Sequence, residues 1–264
     1  MLNDLMLWYR RHGWRGFSRF WYYWRPPEGL LLCRANDGTK FFVNPNEYID
    51  NHVIRSGGYE TEVAMKAAEL LPPNGVVWDV GANIGTFCLP LHRLRPDATI
   101  YAFEPNVQVL TRLIRNIEMN NARVVAQGFA LGQETGATNL FLTSGNAGMS
   151  SLINWDTKTH NLSSVVAVIR PDILIDIGLI RSPNVMKLDV EGAELSVLNG
   201  FGRALEKRDL SAILFEAARR DVEARLGIAA KISSAGFLIS ELRRNEDTSH
   251  NLENFVGIRH LASG

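Results

Sequence analysis

The chain has 264 residues, of which 28 are Lys or Arg and 28 are Asp or Glu, so its formal net charge is zero. That balance provides no global field to draw the protein to nucleic acid or another polyanion. Its two cysteines, Cys33 and Cys88, lie far apart with no CxxC spacing and no clustered histidines, which argues against a disulfide framework and structural zinc and fits a reducing, cytoplasmic setting.

The first 24 residues hold four of the six tryptophans and nine of the 24 aromatics, beside Arg10, Arg11, Arg15 and Arg19. Asp4, Arg10 and Arg11 interrupt the apolar run too early for a secretory leader, and nowhere do the ~18 apolar residues of a spanning helix follow one another. Trp14, Phe17, Trp21 and Trp24 recur at spacings of three, four and three, which lines one face of a helix. Such a stripe either packs on the rest of the protein or on a second copy in a homo-oligomer, or makes peripheral membrane contact through aromatics flanked by arginine. Pro26 and Pro27 end it and open a connector carrying Gly29, Gly38, Pro45, Gly57 and Gly58. Residues 1–58 therefore read as an aromatic, basic extension with its connector, and 59–264 as the catalytic domain.

Val63, Ala64, Ala67, Ala68 and Leu71 recur at helical spacing until Pro72-Pro73 ends the run. Short apolar strands follow at Val76–Val80, Thr99–Glu104, Val124–Ala126, Val185–Val190 and Ala212–Phe215, several of them near-continuous as strands covered on both faces should be. Helical segments at Leu89–Leu94, Val107–Met119, Ala193–Leu205 and Asp221–Ala235 alternate with them. Alternation of this kind predicts an α/β fold with an open, doubly wound, mostly parallel sheet. Phe237–Leu242 and Phe255–Ile258 add two final strands as an antiparallel pair at one edge.

The strand Val76–Val80 breaks into Gly81-Ala82-Asn83-Ile84-Gly85 just before a helix, where open α/β sheets bind ligands. A dinucleotide loop GxGxxG would need glycine at 83 and 86, and the chain has Asn83 and Thr86. The pattern is instead Asp79-x-Gly81-x-Asn83-x-Gly85, in which glycines admit a ligand close to the backbone and a carboxylate at the strand end can hold the ammonium of a methionine moiety. Glu104, 19 residues after Gly85, ends the next strand, where an acid commonly takes both hydroxyls of a ribose. Alternatively the glycines only make a tight turn and Glu104 only caps the helix that Asn106 begins.

Further on, Lys187-Leu188-Asp189-Val190-Glu191-Gly192-Ala193-Glu194 again closes a buried strand and opens a helix. Lys187 and Asp189 share one strand face, and a lysine inside an apolar strand needs a carboxylate partner. Glu191 and Glu194 equally suit the helix dipole.

Together Asp79–Gly85, Phe103-Glu104-Pro105, the Asn116-Ile-x-x-Asn120 helix end, Ala130-Leu131-Gly132 and Lys187–Glu194 resemble the FkbM-type methyltransferase family over roughly residues 57–260. This resemblance implies a class I methyltransferase, Rossmann-like fold, S-adenosyl-L-methionine as cofactor, and O-methylation of a hydroxyl on a sugar, lipid or polyketide, hence a small-molecule or glycan- or lipid-linked acceptor. By carry-over Asp79, Gly81, Asn83, Gly85 and Glu104 bind the cofactor, Asp189 faces it across the pocket, and Glu60, in a family-like Tyr59-Glu60 pair, touches its methionine end. The segment from Ser144 to Pro183 matches nothing beyond Ser151-Leu152.

Methyl transfer requires an aligned acceptor and removal of a hydroxyl proton. Asp189 is the first candidate base or orienter, Glu216 at the next strand end the second unless it is a solvated loop acid, and His160 the third unless it is a surface histidine. Asp189 and Glu191 alone are too few oxygen ligands for Mg²⁺, so no metal is expected. Two rival readings are a nicotinamide-dependent oxidoreductase, which lacks its third loop glycine here, and a non-catalytic binding module on the same fold.

Overall fold

The computed structural model describes residues 29–143, 151–152, 160–218, 221–242 and 252–259; the aromatic stripe expected over 14–24 lies outside the described residues. β1 (Leu31–Arg34) and β2 (Lys40–Val43) form an antiparallel hairpin, followed by α1 (Tyr48–Ser56), which ends on a left-handed Gly57. The stretch expected to be connector is thus folded. Its Leu31, Phe41, Val43, Val53 and Ile54 join the same buried cluster as Val77 and Ile100 of the main sheet and Ile84 of the loop after Val80. Runs of four residues between glycines are too short for their periodicity to stand out.

α2 (Thr61–Leu70), β3 (Val76–Val80), α3 (Cys88–Leu94), β4 (Thr99–Phe103), α4 (Val107–Met119) and β5 (Val124–Gln127) follow as expected. α4 begins on Asn106, whose side chain accepts from the Gln108 N–H. On its buried face Asn116 and Asn120 bond the backbone of Phe42 and Lys40, and Arg112 is ion-paired with Glu47 and Asp50, which ties the hairpin and α1 to the sheet.

The chain then builds a second, three-stranded sheet from β6 (Ala130–Leu131), β7 (Gly136–Thr143) and β8 (His160–Ile169), in the order β6-β8-β7. Sequence reading has no counterpart for it. After α5 (Pro171–Asp176) come β9 (Val185–Leu188), α6 (Glu194–Gly200), β10 (Ala212–Ala218), α7 (Val222–Ser234), β11 (Phe237–Leu242) and β12 (Leu252–Arg259). The helix expected over Ala193–Leu205 stops at Gly200 and continues as a 3-10 turn, Gly202–Glu206, because Gly202 adopts positive φ.

The central sheet runs β11-β12-β10-β9-β3-β4-β5, parallel from β10 to β5, with β12 inserted antiparallel between β10 and β11. This is the doubly wound α/β, Rossmann-like sheet the alternation predicts. Its two faces carry separate apolar clusters, one with Val77, Ile100 and Leu214, the other with Trp78, Phe103, Met186 and Phe215. The chain leaves β3 toward β4 and β5, and later returns to β9 on the other side. The carboxyl ends of β3 and β9 therefore flank the crevice where such sheets take ligands. Among the described residues no helix is long and apolar enough to cross a membrane.

Candidate active site

β3 and β9 pair in parallel with Asp79 opposite Lys187, and the next residues of both strands turn into loops at the same level. Gly81 has a φ of 84°, and a Cβ on it would fall 1.8 Å from the Asp189 carbonyl oxygen. Only glycine lets the two loops approach so closely. A cleft of about 300 Å³ opens above them, lined by Glu60, Gly81, Asn83, Thr86, Glu104, Lys187, Asp189, Glu191 and Glu216 among the polar groups, and by Tyr48, Tyr59, Phe103, Phe129, Leu131, Leu140 and Leu152 among the apolar ones.

At its floor the Lys187 ammonium gathers three carboxylates from three elements. Glu60 Oε1 is 3.0 Å away, Asp189 Oδ2 3.1 Å and Asp79 Oδ1 3.7 Å, and Nζ also donates to the Gly81 carbonyl at 3.2 Å. Burial alone would lower the lysine pKa, but the charges of Asp189, Glu60 and Asp79 outweigh it and hold the group well above its usual value. Lys187 is thus a fixed cation, unable to act as a base. The partner that strand alternation demanded for it is present.

Asp79 departs from its expected role. It is 0% exposed and does not line the cleft; the Cys88 thiol and Lys187 are its neighbours. Burial raises its pKa to about 6 although Lys187 pulls the other way. Alternation turns residue 79 toward the Lys187 face of the sheet, beneath the loop instead of into the crevice. Gly85 departs likewise: its α-carbon faces Leu89 and Leu113, so it makes room for helix packing and does not line the cleft.

Glu60, Asn83, Gly81 and Glu104 do line it. Glu60 is left-handed (φ 57°), which aims its side chain inward at Lys187 and lets Oε2 accept from the Thr86 hydroxyl at 2.7 Å. Glu104 accepts from the Asn83 N–H at 3.0 Å and the Asn106 N–H at 2.8 Å, one bond per oxygen, and each oxygen keeps a lone pair. Burial drives its pKa up to about 7 against those two bonds. The cap of α4 is Asn106, so Glu104 is not needed for that purpose.

On the β9 side, Asp189 keeps 23% of its side chain exposed and lines the cleft, and Glu216 lines it from within β10, not from a loop. Glu194 is a structural acid: its Oε1 accepts from the Val190 and Gly192 N–H groups and it does not line the cleft. Glu191, read from the sequence as a helix-dipole acid or half of too small a Mg²⁺ ligand set, is brought into the cleft by a φ of 50°. Burial, and then the charges of Asp189 and Glu194, push its pKa up to about 7. The Ser151 hydroxyl donates to the Glu191 carbonyl at 2.9 Å and so holds Leu152 against this wall. His160 opens β8, and its side chain lies outside the described residues. Sequence reading missed the apolar walls from α1 and β7; no signal in those short runs marks them as facing a cleft.

Residues 79–247 match the Methyltransferase FkbM domain. The chain is 32% identical over 201 residues to the Hexuronic acid methyltransferase AglP of Haloferax volcanii, a match covering 74% of this chain and 77% of that one. It is 34% identical over 148 residues to Methyltransferase 1 of Beauveria bassiana, covering 49% of this chain and 59% of that one. Among solved structures, the Pyrococcus abyssi tRNA (uracil-54, C5)-methyltransferase in complex with S-adenosyl-L-homocysteine shares the fold, with a TM-score of 0.51 at 13% identity, over 87% of this chain and 44% of that one.

Proposed function

The chain belongs to the FkbM methyltransferase family, and from that premise we propose that it uses S-adenosyl-L-methionine to O-methylate a hydroxyl of a sugar, lipid or polyketide-type acceptor. The observation that carries this reading is Glu104, fixed by two backbone N–H groups at the end of β4 with lone pairs left over, in the same cleft as the loop that glycine opens at residue 81. Glu104 holds the ribose hydroxyls. Phe103, Pro105, Phe129 and Leu131 form the apolar surroundings of the adenine, and Glu60 meets the ammonium that Asp79 lies too deep to reach. The name of the Haloferax relative supports a glycosyl acceptor.

The cofactor, when bound, supplies an electrophilic methyl group on a positively charged sulfur. Lys187 pins Asp189 through Oδ2 and so fixes the direction of the carboxylate toward the cleft. Asp189 is placed to accept the proton of an acceptor hydroxyl bound beside it; Glu216, lining the same end, is the alternative base. Calorimetry with S-adenosylhomocysteine and with NAD tests the cofactor: binding of the first and not the second is expected, and the reverse would return the protein to nicotinamide chemistry. Asp189→Asn should slow turnover by ~10² to 10⁴ without loss of S-adenosylhomocysteine affinity of similar size. Normal turnover would move the base to Glu216. A folded protein that binds S-adenosylhomocysteine and transfers methyl to no hydroxyl would favour a binding module.

A further inference from the structure

Thr86 stands where a dinucleotide-binding loop would need its third glycine, and the proposed reaction leaves its side chain without a role. The residue is 1% exposed, follows the left-handed Gly85 (φ 95°), and lines the cleft beside Glu60. Resting on the reading that Glu60 meets the cofactor's ammonium, we infer that Thr86 is a positioning residue: it sets the Glu60 carboxylate for that contact, and with it the preference for a nucleoside whose tail carries an amino group.

Glu60 is the residue that opens α2, yet its side chain accepts no capping bond from that helix, so its own element does not orient it. Its backbone is left-handed (φ 57°), a conformation that a residue other than glycine seldom adopts, and this directs the carboxylate toward β9. Two groups then hold it. The Lys187 ammonium lies 3.0 Å from Oε1, and the Thr86 hydroxyl donates to Oε2 at 2.7 Å. Lys187 is divided among Glu60, Asp189 and Asp79, and an ammonium on one oxygen leaves a carboxylate free to turn about its last torsion, where the preference is broad. A second anchor on the other oxygen fixes the plane. There is room for the group to turn without it: Tyr59, Glu60 and Thr86 line both the cleft and a second cavity of about 190 Å³ that extends past His52 and Glu62 to Asn36. Held from both oxygens, the carboxylate stays at the junction, and each oxygen keeps a lone pair for the ammonium. Glycine at position 86 could not donate that bond. The departure from the dinucleotide loop therefore supplies what a methionine tail requires.

The test is calorimetry on the full chain at pH 8 with S-adenosylhomocysteine and with its desamino analogue, which lacks only the ammonium. The unchanged protein should bind the first at least roughly tenfold more tightly. Thr86→Val keeps the shape and loses the hydroxyl. It should weaken S-adenosylhomocysteine by roughly tenfold and the desamino analogue by less than about twofold, so that most of the preference for the amino group disappears. Thr86→Ser should restore that preference, and adding Thr86→Val to Glu60→Gln should weaken S-adenosylhomocysteine little further. Thr86→Ala takes the place of the valine variant if melting shows that valine disturbs the turn. An equal loss for both ligands would mean that Thr86 shapes the loop as a whole, which overturns the inference and leaves the cofactor reading standing. A preference that survives loss of the hydroxyl overturns it too. Equal binding of the two ligands by the unchanged protein defeats the contact between Glu60 and the ammonium, and binding of neither defeats the cofactor reading, each taking this inference with it.

Discussion

On the proposed reading, the end of the cleft that would hold the nucleoside and the end that would take the acceptor are built differently. Val80, Gly81, Asn83, Thr86, Phe103, Glu104 and Pro105 come from one strand–helix–strand unit, where two adjacent parallel strands stop at the same level. Leu140, Leu152, Asp189, Glu191 and Glu216 come from the second sheet, a loop and two later strands. A local motif can specify the first end, because the pleat and the turn residues fix where each side chain goes. The second end exists only once the whole chain is folded. Its specificity is free to vary without disturbing the cofactor site, except at Lys187, which contacts both Glu60 and Asp189 and so couples the two.

The largest effect should therefore come from Lys187→Met. Removing a buried cation strands Glu60, Asp79 and Asp189 together, and breaking one side of a buried ion cluster costs about 3 to 5 kcal/mol. Thermal and urea melts should show that loss at pH 8 and a smaller one near pH 5, where Asp79, raised by burial to about 6, takes up a proton instead. Unchanged melting at pH 8 would mean the cluster is incidental and the ends are not coupled through it.

Glu104→Gln acts on the nucleoside end alone. The amide keeps the volume, but its NH₂ confronts one of the two backbone N–H groups that the carboxylate accepts, and it loses charge-assisted bonds worth ~1.5 to 3 kcal/mol each. S-adenosylhomocysteine affinity should fall by about a hundredfold in a protein that still folds by circular dichroism. An unchanged affinity would remove the ribose assignment.

How much of this was legible follows the same division. β3, α4 and β11 match their expected bounds, since five-residue apolar strands and a 13-residue amphipathic helix carry strong periodicity. Glu104 was readable as a strand-end acid, and the structure does bring it into the cleft. Asp79 was misplaced by one side-chain layer, because the sequence motif gives the strand end and not the depth at which the partner strand's lysine sits. The hairpin at Leu31–Val43 and the sheet of β6, β7 and β8 escaped notice, the first for its brevity and the second because its strands pair with residues 17 or more positions away. Glu191 was hidden by ambiguity: an acid at a helix start has an ordinary electrostatic explanation until a positive φ turns it into the cleft.

A smaller effect is the pH dependence of cofactor affinity. Glu104 has a folded-state pKa of about 7, raised from 4.5 by burial, so between those values the folded protein binds more protons than the unfolded chain and this group's contribution to stability falls as pH rises. Ribose hydroxyls donating to the ionised carboxylate pull the other way. Affinity for S-adenosylhomocysteine should then weaken roughly tenfold from pH 8 to pH 6, where about one molecule in ten has Glu104 ionised. The slope should vanish in Glu104→Gln. A slope that survives that substitution would assign the titration to another group, with Glu191 the first to test.

The smallest effect probes the acceptor end by itself. Ser151 is tied to this end of the cleft: its hydroxyl bonds the Glu191 carbonyl, and its backbone exchanges two bonds with Phe141. Ser151→Ala removes one neutral hydrogen bond, worth about 1 kcal/mol, and leaves the backbone pairing that keeps Leu152 near the cleft. Melting should drop by only a few degrees. S-adenosylhomocysteine should bind as before, because Glu104, Glu60 and Lys187 are untouched, while KM for the acceptor rises severalfold as the wall at Leu152 and the backbone of Glu191 loosen. If cofactor affinity fell in step with acceptor KM, the loop at 189–192 would have to be transmitting strain through Gly81, whose α-carbon already faces the Asp189 carbonyl at the limit of approach. The two ends would then be coupled through backbone as well as through Lys187. That outcome would replace the picture of a fixed cofactor site with an independently variable acceptor wall by one in which both are held by a single pair of loops.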